Sequence, residues 1–127
     1  MKPLFWIFSG SLLGAISLAL GAFGAHGLKS KLGNDLLNTF ETATRYQMYH
    51  AFAIICLGLI MNSFHSSLFS WSGWFFIIGT ILFSGSLYIF VLTGIKSFGA
   101  IAPIGGLSLL FGWIFLAIGA CNSSNLN

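Results

Sequence analysis

The chain has 127 residues, of which 57% are hydrophobic, 17% aromatic and 6% charged, with a formal net charge of +3. A soluble domain carries about 25% charged residues, so this composition, with a mean hydropathy of +0.94, excludes an ordinary water-soluble globule and a disordered chain. Five cations are too few for a nucleic-acid surface, which leaves one integral membrane domain over 1–127 with room for about four spans.

Four apolar segments reach the length of a span, 4–25, 46–61, 71–93 and 100–121. Runs such as Trp74-Phe75-Phe76-Ile77-Ile78 are apolar on every side, whereas the strands of a membrane barrel alternate strictly. The expected fold is therefore all-α, an integral membrane four-helix bundle. In the first segment, Lys2 precedes the apolar run and Ala22-Phe23-Gly24 ends it like a weak cleavage site. A signal-peptide core is only about 7 to 15 residues long, so this longer segment is expected to remain as a span. Gly10, Gly14, Ser17, Gly21 and Ala25 line it as a stripe of small residues, which in lipid lets helix backbones approach.

Asn34 or Asp35 suits a helix cap before the second segment, and the stretch after Gly33 has no Pro or Gly until Gly58, which predicts one helix over 35–61. Its first two turns are expected at the membrane surface, with Leu36, Leu37 and Phe40 toward lipid and Glu41 placed to form a solvated ion pair with Arg45. At about 100° per residue, Thr39, Thr42, Ala43, Tyr46, Gln47 and His50 share one arc, and Met48, Phe52, Ile55 and Leu59 lie opposite. The polar arc should point into the bundle, because His and Gln facing hydrocarbon would lose their hydrogen bonds.

On the third segment Thr80, Ser84 and Tyr88 form a matching polar line. The fourth repeats Gly105, Gly112 and Gly119 every seven residues, with Ser108 between the first two, a pattern that favours a left-handed crossing near about +20°. Either glycine stripe suits a neighbouring helix of the same chain or another subunit. Pro103 fits a helix first turn. Cys56 at mid-depth and Cys121 at the far end are separated by about 10 Å along the helix axes, too far for a disulfide.

Lys29, Lys31, Asp35, Glu41 and Arg45 lie between spans one and two and Lys96 between spans three and four, with Lys2 alone among the side-chain cations opposite. The positive-inside rule then puts both charged loops in the cytoplasm and both termini outside. Trp6, Trp71, Trp74 and Trp113 fall toward the outer half, and Tyr46, Tyr49 and Tyr88 toward the charged half, as interfacial anchors do. By helix rise, Trp113 is about 20 Å from the charged face, His50 about 6 Å inside it and Tyr88 about 5 Å.

This depth count gathers His26, Tyr46, Gln47, His50, Ser84, Ser86 and Tyr88 into one expected polar cluster in the cytoplasmic half. A hydrolytic metal site needs three or four converging ligands, yet His65, the third histidine, is in an outer loop. Bis-histidine haem needs His26 and His50 at equal depth, proton-coupled export needs a carboxylate within a span, and nucleophilic catalysis needs a buried acid to orient a histidine. None of these is present, so no metal and no cofactor is expected. Two readings stand: a hydrogen-bonded plug that fixes helix register, or a pocket for a small molecule, quinone or lipid headgroup.

Gly21-Ala22-Phe23-Gly24-Ala25-His26-Gly27-Leu28, Phe40-Glu41-Thr42-Ala43 with Tyr46-Gln47 and His50-Ala51, Phe83-Ser84-Gly85-Ser86-Leu87-Tyr88 with Leu92-Thr93-Gly94, and Gly99 with Pro103-Ile104-Gly105-Gly106 and Gly112-Trp113 resemble the DUF423 family of small bacterial inner-membrane proteins, related to the eukaryotic transmembrane protein 256 group. The resemblance spans essentially the whole chain. It departs at Ala102, where the family usually has Thr, so that position offers no hydroxyl. The resemblance implies four spans and no established reaction. The resulting expectation is a non-enzymatic structural or assembly component of the bacterial inner membrane, partnered by the lipid bilayer and by a second copy or another membrane protein. The alternative is a binding or transport module.

Overall fold

The computed structural model describes residues 2–124, so the part of the polar tail beyond Ser124 lies outside the described residues. Four long helical rods follow in order: α1 over Pro3–Leu28, α2 over Asn34–Met61, α3 over Ser67–Thr93 and, after a short α4 at Lys96–Gly99, α5 over Ala102–Ser124. No strand occurs among the described residues. Three stretches, Pro3–Leu28, Ser67–Thr93 and Lys96–Ser123, are long and apolar enough to cross a membrane. The other rod, α2, carries Asp35, Glu41 and Arg45 in its first turns, and it packs most closely along α1 while Tyr49, Phe52 and Leu59 stay exposed.

Local chemistry accounts for the helix ends. Pro3 opens α1, where its missing N–H has no partner to lose. Ser66 caps α3, its hydroxyl accepting from Leu68 N at 3.2 Å. Gly94 ends α3 at φ 73°, a left-handed conformation that suits glycine, with its N–H donating to Phe90 O at 2.8 Å. The cap of α2 differs from expectation: Gly33 occupies it in extended conformation without a side-chain hydrogen bond, and Asn34 is already helical. Both α1 and α3 also contain a wider π-helical turn, at Leu20–Gly24 and Ile81–Gly85.

Neighbouring rods run antiparallel. Along α1 and α2, Gly58 lies against Pro3 and Ile7, Gly10 against Ala51 and Ile55, Gly21 against Thr44, and Gly24 against Phe40. Along α3 and α5, Gly119 meets Phe69, Gly112 meets Phe76, and Gly79 meets Leu109. Gly105 abuts the backbone of Leu82 and Phe83. Both glycine stripes therefore face helices of the same chain. Lipid offers apolar side chains no incentive to hide, so closeness of backbones is what holds such helices together. Trp6, Ala53, Ile54, Phe76 and Leu109, one or more from each rod, form the apolar core.

Two expectations about aromatic residues are corrected. Trp6 is fully buried rather than an interfacial anchor, because Gly73 leaves room for its indole, which also packs edge-on to Phe5 and Trp74. Phe40 is 3% exposed rather than turned to lipid. Its ring fills the space beside Gly24 and lies 5.5 Å from Tyr88, so the Phe40 face of the first turns of α2 packs into the bundle.

Candidate functional site

The continuity of α2 sets the depth of its polar side chains. His50 lies eleven residues before Met61, the end of α2, and Trp113 eleven before Ser124, the end of α5. Both rods end on the Lys2 side of the molecule, so the two residues sit level at mid-depth. Trp113 Nε1 donates to His50 Nε2 at 3.0 Å. The depths counted from the sequence separated these residues because they started His50 from Tyr46, as if α2 entered the membrane only there. The other ring nitrogen of His50, Nδ1, lies 2.7 Å from Tyr46 O. A carbonyl only accepts and an indole N–H only donates, so the tautomer protonated on Nδ1 satisfies both.

One turn away, Gln47 uses both ends of its amide. Tyr88 Oη donates to Gln47 Oε1 at 2.7 Å, and Gln47 Nε2 donates to Leu13 O at 2.8 Å. Gln47 is 3% exposed and His50 6%. With the indole bond, the side chains of Gln47 and His50 make one hydrogen bond to each of the other three rods: to α1 through Leu13, to α3 through Tyr88 and to α5 through Trp113.

Of the expected cluster, Gln47, His50 and Tyr88 are thus brought together. Ser84, also buried, donates to Ala43 O at 2.7 Å. Ser86 bonds only within its own helix, to Phe83 O at 3.0 Å. Tyr46 is 41% exposed and its ring stacks on Phe83, so it contributes its carbonyl and not its phenol. His26 is exposed near the end of α1, outside the cluster, because the last turns of α1 meet Phe40 through Gly24 and leave the histidine on the outer side. Arg45, expected to pair with Glu41, reaches Thr42 Oγ1 at 3.4 Å.

Several bonding residues escaped the sequence reading. Ser17 donates to Thr44 O at 2.6 Å, Ser72 to Gly112 O at 2.6 Å and Ser108 to Phe75 O at 2.8 Å. Ser17 and Ser108 stand in the two glycine stripes, and that is the signal that could have found them. Where small residues draw two backbones together, a hydroxyl reaches the second lone pair of a carbonyl on the facing helix. Among the described residues two buried polar atoms, Trp6 Nε1 and Thr80 Oγ1, have no hydrogen-bond partner. Among the described residues no three His, Cys, Asp or Glu side chains come together as a metal site. Cys56 and Cys121 are both exposed.

A family model described as "Protein of unknown function (DUF423)" matches residues 20–106. The chain belongs to the DUF423 family. Among its relatives, the UPF0382 membrane protein of Staphylococcus aureus (strain bovine RF122 / ET3-1) is 46% identical over 113 residues, 89% of this chain and 92% of that protein. Those of Staphylococcus haemolyticus and Staphylococcus saprophyticus are each 44% identical, over 89% and 90% of this chain and 92% and 94% of their own lengths. No solved structure matches. The DUF423 segment holds Gln47, His50, Ser84 and Tyr88, and Trp113 lies beyond it.

Proposed function

We propose that this DUF423 protein is a non-enzymatic structural or assembly component of the bacterial inner membrane. In this reading it spans the membrane four times with both termini outside, and its partner is a second copy of the chain or another membrane protein. The observation that carries the reading is the bonding of α2: Gln47 and His50 spend every side-chain nitrogen and oxygen on groups of the chain itself. Groups so matched rigidify helix register. Four interhelical serine bonds add to the same rigid frame. The fourth span is α2, whose 28 residues cover about 42 Å against a hydrocarbon core of about 30 Å. Its first two turns, with Asp35 and Glu41, thus fall outside the apolar layer, and Arg45 lies one turn further in, within reach of that surface by its long side chain. The charge distribution supports the orientation, with Lys29, Lys31, Arg45 and Lys96 at one end and Lys2 at the other.

Native mass spectrometry from mild detergent tests this reading. The expected spectrum contains a homo-oligomer or a complex with a membrane protein, and no quinone or other small molecule whose retention depends on His50. A second reading, a binding or transport module at the polar cluster, draws on one observation, the buried Thr80 hydroxyl without a partner. A small molecule retained by the wild type and lost in His50→Gln would favour that module.

A further inference from the structure

At the Lys2 end, a cleft of about 620 Å³ opens between the start of α1, the end of α2 and the start of α3. Lys2, Asn62, His65, Ser66 and Ser70 bring polar groups to it, and Phe64 is among its apolar walls. Two long helices begin at this end and two finish here, so their dipoles oppose one another and the side chains set the sign. Those side chains are an ammonium, an imidazole, an amide and hydroxyls, all able to donate. No acidic side chain is near: Asp35 and Glu41, the only two in the chain, lie in the first turns of α2, about 40 Å and about 30 Å from Asn62 by helix rise. Lys2 therefore has no carboxylate side chain to pair with at its own end. In the four-span reading the cleft also lies where α1 and α3 leave the apolar layer, at the depth of lipid headgroups.

We propose that this cleft binds a phosphate oxyanion, with Lys2 and His65 as its charged and imidazole donors, Asn62 and Ser70 as neutral ones, and Phe64 against the carbons attached to the phosphate. Phosphate oxygens accept several hydrogen bonds at once, and a charge-assisted bond from an ammonium is the strong member of such a set. The group can arrive as the headgroup of an anionic phospholipid or as free phosphate. The site does not depend on which side of the membrane this end faces, nor on whether the protein is an assembly component.

The test is binding to the purified full chain, measured with phosphatidylglycerol, phosphatidylcholine and inorganic phosphate as separate probes, by native mass spectrometry and thermal stability in detergent. Wild type should hold phosphatidylglycerol or inorganic phosphate about tenfold more tightly than the Lys2→Gln/His65→Gln variant, the size of one hydrogen bond to a charged group. Which of the two probes shows the loss names the source. Lys2 and His65 are both exposed, so the variant should keep wild-type helix content, and Lys2→Gln alone should show part of the loss. A Lys29→Gln/Lys31→Gln variant, altered at the opposite end, should bind as wild type. Equal binding by the Lys2/His65 variant and wild type, a loss seen only in the Lys29/Lys31 variant, or phosphatidylcholine held as tightly as phosphatidylglycerol with no effect of inorganic phosphate, would overturn the proposal.

Discussion

Tyr46 O has a second lone pair to offer beside its helix bond, Trp113 Nε1–H needs an acceptor, and His50 stands between them with one nitrogen for each. Glutamine offers the same pair of functions, so His50→Gln should fold with wild-type helix content and lose less than about 1 kcal/mol in detergent unfolding. Leucine offers neither. His50→Leu strands the indole N–H and should cost about 1 to 3 kcal/mol, with a shift in tryptophan emission. Unchanged stability in that variant would show the bond to be dispensable. Gln47 and Tyr88 form a second unit, because the phenol has the amide oxygen as its partner. A cycle of Gln47→Leu and Tyr88→Phe should give a coupling energy of about 0.5 to 3 kcal/mol, and additive single effects would argue against the bond. Both polar residues were legible in the sequence from their arc on the helix, and Tyr88 from its place in the same expected cluster. Leu13 O and Trp113 were not, since a backbone carbonyl carries no residue identity and the depth count set Trp113 apart from His50.

At the scale of elements, two kinds of glycine must be separated. A Cβ on Gly112 would come within 2.6 Å of the Phe76 ring, and one on Gly10 within 2.7 Å of Ala51 O, whereas nothing lies within 4 Å of a Cβ on Gly27. Phe76 is fully buried in the core and cannot give way freely. Gly112→Leu should therefore destabilise the protein by about 1 to 3 kcal/mol or more, while Gly27→Ala should cost nothing measurable. Thermal unfolding in one detergent decides it, and normal stability of Gly112→Leu would mean that α5 can move away from α3. Spacing alone identified the stripes on α1 and α5. It did not say what they would face, because the same small-residue pattern serves contacts within a chain and between chains. The lipid-facing expectation for Phe40 failed for a related reason: its ring looks lipid-facing until Gly24 supplies a place for it.

For the whole molecule, membrane orientation can be read with single cysteines in a background lacking Cys56 and Cys121. Ser66 and Ser123 are poor positions, since one caps α3 and the other is buried. Ser63, Asn122 and Ser97 are exposed. With both termini outside, cysteines at positions 63 and 122 should react with an impermeant thiol reagent in intact cells and one at 97 should not. The reverse labelling would invert the topology, and labelling of 63 and 97 alike would break the four-span arrangement.

Composition and hydropathy by themselves determined the all-helical class and the membrane setting, because in lipid only helices and closed barrels satisfy their own backbones and the apolar runs of this chain, with its seven charged side chains, do not alternate as barrel strands do. The order of motifs was sufficient for the DUF423 family. Depth was decided only by the tertiary structure. Counting from an assumed membrane boundary placed His50 and Trp113 far apart, and the continuous, bundled α2 brought them to 3.0 Å. Rotation was decided there too: His26 and the Tyr46 ring fell outside the cluster while Ser17, Ser72 and Ser108 became cross-links. Helix periodicity tells which residues share a face, but which neighbour that face meets, and at what height, depends on how closely glycines elsewhere allow two backbones to approach.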